Sequence, residues 1–245
     1  MHYVPGITLA FILLCCGPAN AASTSGATAC EALSLDFGQA GAGWKHQPLS
    51  KLKRDTVYAL AQEDGRTVLS GVADSSASLF VAPIKQATGL PPILRWRWKT
   101  DALIPGADNR DKKREDAPLR VIVAFDGDRS TLPEAERQRF KRAQKLFGRE
   151  LPYAVLMYIW SEQVPLESVI PSAHTSQVKM LVVATGTGGL GSWQSMRRNI
   201  AEDYRRAYGA APGRVLGVAV MTDTDNTGSK AVGRYADIQF ECAND

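Results

Sequence analysis

Residues 93–99 (Ile-Leu-Arg-Trp-Arg-Trp-Lys) alternate without a break. Leu94, Trp96 and Trp98 fall on one face and Arg95, Arg97 and Lys99 on the other. That period of two predicts a strand with one face in a core and the other in water. Residues 56–62 and 67–73 are also strand-like and flank Glu63-Asp64-Gly65-Arg66, a hairpin signal. Residues 77–82 predict a third strand, and a short one is expected at 33–37. The runs 119–125, 153–160, 178–185, 215–222 and 233–241 bring the count to about ten strands. Several later runs are apolar throughout, as expected of strands covered on both faces.

Two segments carry helical spacing instead. Residues 132–147 start with Thr131-Leu132-Pro133-Glu134, which fits a capping box, and stop at Gly148. Residues 193–208 place Trp193, Met196, Ile200, Tyr204 and Ala207 on one stripe and stop at Gly209. The order predicts a mostly β protein: an antiparallel β-sandwich of jelly-roll type with two helical insertions. The alternative is an α/β arrangement in which 119–160 and 178–222 are parallel crossover units. The hairpin-rich first half favours the sandwich.

The N-terminal segment changes the picture of where the chain works. An apolar run over residues 7–16 precedes Gly17-Pro18 and then Ala19-Asn20-Ala21, an A-x-A pattern. This reads as a signal peptide over residues 1–21, followed by a flexible lead-in at 22–29 and one domain at 30–245. Its removal takes Cys15 and Cys16 and leaves Cys30 and Cys242, which are expected to form a disulfide in the periplasm or outside the cell. Such a bond requires the first and last strands to be neighbours. Composition adds little: hydrophobic content is 44%, charged content 22%, and the net charge of +4 is mild. No concentrated basic stripe suits nucleic acid, and no later run is long enough to span a membrane.

Candidate chemistry lies in loops and on aromatic strands. Gly186-Thr187-Gly188-Gly189-Leu190-Gly191 matches G-x-G-x-x-G between a predicted strand and a predicted helix, but no acidic residue stands about 20 positions on. A flexible loop is the plainer reading. Thr222-Asp223-Thr224-Asp225-Asn226-Thr227-Gly228 crowds oxygen donors onto one turn. Its spacing resembles the opening of a calcium loop but fails the EF-hand template, because Arg234 stands where the bidentate Glu belongs. Asp223 and Asp225 are therefore candidates for Ca²⁺ or for sugar hydroxyls, against a plain Asx-turn network. No cofactor is otherwise expected. Asp116 and Arg120 head the 119–125 strand, and Asp116 with Asp223 could act as acid and base if the fold brings them within about 5–10 Å. Trp98 and Trp160 are candidate stacking platforms for a sugar; the alternative for Trp96 and Trp98, which share a face, is that both indoles fill the core. No G-x-S-x-G elbow and no Cys/His metal spacing occurs.

Four strings in fixed order complete the reading: Leu94-Arg95-Trp96-Arg97-Trp98-Lys99, Glu115-Asp116-Ala117-Pro118-Leu119-Arg120, Arg198-Asn199-Ile200-Ala201-Glu202-Asp203-Tyr204 and Met221-Thr222-Asp223-Thr224-Asp225-Asn226-Thr227-Gly228. Over about residues 40–241 the chain resembles a family of exported bacterial proteins catalogued only as a domain of unknown function. The resemblance implies one β-rich sandwich domain and no particular activity. It draws attention to Trp98, Asp116, Arg120, Arg198, Asn199, Asp223, Asp225 and Asn226. The leading expectation is a periplasmic module binding a carbohydrate or other polar envelope ligand. A glycan-active hydrolase or lyase and an envelope assembly protein are the alternatives.

Overall fold

The computed structural model describes residues 30–38, 43–85, 91–147, 150–173 and 175–243. The expected signal peptide and lead-in lie outside these residues. Two sheets face each other. The first has the order β11 (Gln194–Asn199), β6 (Ile93–Lys99), β13 (Lys230–Glu241), β4 (Arg66–Asp74), β3 (Val57–Glu63), and β1 (Leu33–Ser34) also pairs with β13. The second runs β2 (Lys45–Pro48), β5 (Ser78–Pro83), β12 (Val215–Asp223), β7 (Ala117–Phe125), β8 (Ala154–Ser161), β10 (Val178–Thr185), β9 (Val169–Pro171). All strand pairs between these elements are antiparallel except β8 with β10. The chain is mostly β, a sandwich with two helices, α1 (Glu134–Phe147) and α2 (Ile200–Tyr208).

The alternation in β6 holds. Leu94, Trp96 and Trp98 are buried between the sheets, while Arg95 is exposed and Arg97 and Lys99 are half-buried on the outer face. Opposite them β8 contributes Leu156, Tyr158 and Trp160, and the rings of Trp96 and Tyr158 lie 5.0 Å apart. The sheets approach closely at Gly233, where a Cβ would stand 2.4 Å from Thr222 Oγ1 and 2.6 Å from the Pro118 carbonyl oxygen. Only a residue without a side chain fits there. The close approach lets the Tyr235 hydroxyl donate to the Met221 carbonyl at 2.7 Å, tying β13 to β12.

The termini meet as the cysteines require. Leu33 pairs with Phe240 and Ser34 with Gln239, and Cys30 is bonded to Cys242 with their Cα atoms 5.9 Å apart. The hairpin turn is Asp64-Gly65, with φ of 51° and 73°, the conformation a two-residue turn needs to match strand twist.

Several expectations are corrected. The predicted helix 193–208 is a strand followed by a helix. β11 pairs with β6 from Gln194 opposite Trp98 to Asn199 opposite Ile93, and α2 begins only at Ile200. Asn199 stops the helix from extending backward, because its Oδ1 accepts from the backbone N–H groups of Ala201 and Glu202 as an N-cap. The capping box at Thr131 does not form. Thr131 ends a short 3-10 turn and its hydroxyl donates to the Asp128 carbonyl, while Glu134 pairs with Arg137. The crossover alternative fails as well: α1 joins two antiparallel neighbours, β7 and β8. The short strands β2 and β9 carried no pattern long enough to recognise.

Candidate functional site

The strand alternatives that bury Trp98 and Trp160 decide the first question. Trp98 has no exposed surface and Trp160 is 1% exposed, so neither indole offers a face to a ligand. The core-filling alternative holds for Trp96 and Trp98, Trp160 is buried with them, and the expected stacking role is withdrawn. The Trp160 indole N–H donates to the Gly186 carbonyl at 3.0 Å, which anchors the glycine-rich loop. That loop leads from β10 into β11, not into a helix, so its glycines face no helix N-terminus where a pyrophosphate would sit.

The two acidic strings do converge, at the end of the sandwich where β7 begins and β12 ends. Carboxylate oxygens of Asp116, Asp223 and Asp225 all lie within 4.8 Å of one another. Each is engaged by the protein itself. Asp116 accepts from the N–H groups of Asn226 (3.1 Å) and Thr227 (2.7 Å) and from the Thr227 hydroxyl (2.6 Å), which fastens the 224–228 turn onto β7. Asp223 accepts from Arg120 Nη2 at 3.1 Å, and Asp225 pairs with Lys53. Asn226 donates from its side chain to the Lys112 carbonyl at 3.0 Å. Burial pushes the Asp223 carboxyl well up from the usual range; Arg120 opposes this, and Asp116 and Asp225 add to it. Arg120, 1% exposed, also donates to the Glu115 carbonyl and points Nη1 at the sulfurs of Met180 and Met157. The carboxylates are thus close enough for paired chemistry, yet Asp116 and Asp223 are sealed from solvent at 1% and 5% exposure.

Arg198 and Asn199 serve a second network. Arg198 donates to Asp203 through Nε (2.9 Å) and Nη2 (2.6 Å) and to Glu167 through Nη1 (2.8 Å) and Nη2 (3.1 Å). The buried Tyr158 hydroxyl donates to Asp203 at 2.9 Å. Arg198 holds the Glu167 carboxyl below its ordinary value of 4.5, with Arg206 assisting. A depressed folded-state value means the stabilisation is present above pH 4.5 and is lost as pH falls through the folded value. The melting temperature is therefore expected to drop on acidification below that point, and Glu167→Gln to flatten this acid limb. An unchanged profile in the variant would remove Glu167 from the account.

A different cleft opens on the outer face of the first sheet. Its floor is apolar, made by Val68 of β4 and Ala236 of β13, both buried. Trp193, half-buried just before β11, forms a wall, and Glu63, Asp64, Arg66 and Arg97 complete the lining of a cavity of about 160 Å³. The Arg97 guanidinium carbon lies 5.0 Å and Lys99 Nζ 5.4 Å from the centroid of the Trp193 ring. At the bulge in β13, Asp237 adopts φ of 52° and accepts from both Arg66 (2.8 Å) and Arg97 (3.1 Å). Lys99 pairs with Glu63 and holds its carboxyl below the ordinary value, with Arg234 and the Trp193 indole contributing less. Cations and anions around the cleft are therefore balanced. The helical stripe assigned to Trp193 concealed this site. The alternation of Ser195 and Arg197 with Met196 was the signal for a strand that turns Trp193 outward.

Fold and clefts together define a β-sandwich protein with a polar, aromatic-walled cleft on one outer face. The chain belongs to the family described as protein of unknown function (DUF3047), whose model matches residues 42–239. No curated protein matches it. Among solved structures, endoglucanase 3 of family GH12 from Trichoderma harzianum is similar, with 10% identity and a TM-score of 0.43 over 86% of this chain and 96% of that one. No helix among the described residues is long and apolar enough to cross a membrane.

Proposed function

We propose that the protein is a binding module, working in the periplasm or outside the cell, for a carbohydrate or similarly polar envelope ligand. The Trp193 cleft carries this reading. A sugar has an apolar face and a rim of hydroxyls; the cleft has an indole wall and an apolar floor, ringed by side chains that donate and accept. The charge balance around it favours a neutral polyhydroxyl compound over a strongly anionic one. The Cys30–Cys242 bond fits an oxidising compartment.

The Asp116–Asp223 pair supports catalysis less well, since both carboxylates lie out of reach of a substrate and Asp116 is occupied in holding backbone. Arg120, Arg198, Asn199, Asp223, Asp225 and Asn226 belong to structural networks in this reading rather than to the ligand.

The test is a melting-temperature screen against neutral and acidic oligosaccharides, repeated with Trp193→Ala. A ligand present at 100 times its Kd adds about 2.7 kcal/mol to stability. Loss of the indole is expected to weaken binding at least about tenfold. A panel that leaves melting unmoved, or a sugar whose effect survives Trp193→Ala in full, would count against the cleft.

A further inference from the structure

The four outer strands of the two sheets are not protected equally. β2 is four residues long with Lys45 and Pro48, β9 is three residues long and ends in Pro171, and β11 carries Arg197 and Arg198. Short length, proline and charge are what keep exposed edges from pairing with other chains. β3 is neither short nor broken by proline, and its one charge, Glu63, stands at its last position. It is seven residues long, Val-Tyr-Ala-Leu-Ala-Gln-Glu, without proline, glycine or a basic residue. Leu60 on it is 57% exposed and Val57 66% exposed, and Val72, paired with Val57, adds a third exposed apolar side chain.

The hairpin geometry says which backbone groups are free. With a two-residue turn at Asp64-Gly65, the flanking pair Glu63–Arg66 is hydrogen-bonded, so Val57, Ala59, Ala61 and Glu63 turn their N–H and C=O groups toward β4. Tyr58, Leu60 and Gln62 then turn theirs away from the sheet. Among the described residues, no backbone group outside β4 pairs with them. The next residue back, Thr56, is already satisfied by the Ser78 hydroxyl, which ends the free edge there.

We propose that this edge pairs with the same edge of a second copy, antiparallel, about a two-fold axis through Leu60. The segment is self-complementary about that residue: Ala59-Leu60-Ala61 meets Ala61-Leu60-Ala59. Leu60 faces its own counterpart, Tyr58 faces Gln62 of the second copy, and Val57 faces Glu63, so no like charges oppose one another within the strand. Arg54 and Arg66 approach beyond its ends, but they are already paired with Asp74 and Asp237. The pairing satisfies the free groups of Tyr58, Leu60 and Gln62 in both copies and covers Leu60. A contact of this kind is isologous and closes at two chains.

Two measurements on the mature chain test it. At about 0.1 mM, where micromolar contacts are populated, sedimentation or light scattering should give a dimer for the wild type and a monomer for Leu60→Lys. Leu60 is exposed, so at dilutions where both chains are monomeric the lysine variant should melt like the wild type. A wild-type monomer at that concentration overturns the proposal, as does a dimer that survives Leu60→Lys. Register is tested by Leu60→Cys. Directly opposed residues in a hydrogen-bonded antiparallel pair have Cα atoms about 5.5 Å apart, within disulfide reach. Mild oxidation should cross-link Leu60→Cys into a covalent dimer and leave Val57→Cys uncoupled. Cross-linking of Val57→Cys in place of Leu60→Cys would refute the axis.

Discussion

Replacing Asp223 with alanine is expected to destabilise the protein by about 3–5 kcal/mol, while Arg120→Met should cost markedly less. The asymmetry follows from what each partner can do alone. Asp223 and Arg120 face each other at 3.1 Å with almost no solvent. Without Asp223, the guanidinium stays charged, since it does not shed its proton at any working pH. It keeps the Glu115 carbonyl, the methionine sulfurs and the Glu115 carboxylate at 4.0 Å, but loses its nearest and most buried counter-charge. Without Arg120, the Asp223 carboxyl can take up a proton, which burial and the nearby Asp116 and Asp225 already favour. The methionine also occupies part of the vacated space beside Met157 and Met180. Denaturant unfolding at neutral pH of both variants and the double variant checks this as a cycle. The double variant should recover part of the Asp223→Ala loss. Equal single losses that simply add would show that the pair is not the unit.

Breaking the disulfide by changing Cys30 and Cys242 together to serine should have an effect of similar size. The bond spans 212 positions, and loop-closure entropy for such a span gives about 5 kcal/mol as an upper figure. A loss of about 3–5 kcal/mol is expected, a fall in melting temperature of roughly 10 °C or more. The fold should persist, because β1 contributes only two paired residues and the sheets are joined elsewhere. Because the bond acts on the unfolded chain, the slope of stability against denaturant should rise as the stability falls. A loss below about 1 kcal/mol, with the slope unchanged, would show that the native ends are held without it.

What could be read without coordinates was whatever depends on near neighbours in the chain. The period of two in 93–99, the Asp64-Gly65 turn and the apolar runs each depend on local geometry, so the sandwich and ten of its strands were legible. The cysteine pair was legible because, with Cys15 and Cys16 assigned to an expected leader, Cys30 and Cys242 are the two that remain. The four ordered strings pointed to the family that the model match establishes over residues 42–239.

The sites were a different matter, because they are assembled across the sheets. Asp116 and Asp223 stand far apart in sequence and meet only because β7 pairs with β12, Ala117 opposite Asp223. Sequence could nominate both, but only the register shows that Asp116 is consumed by the 226–227 backbone and Asp223 by Arg120. Trp98 and Trp160 were candidate stacking platforms and are core, because the inner faces of two sheets close over them. Trp193 was hidden inside a helical stripe that β6 overrode by pairing with 194–199. Residue types and their spacing thus determined the kind of layer this chain builds and where its ends are clasped. Which side chains face water was decided only when one sheet was laid on the other, since burial is a property of the pair and of neither strand alone.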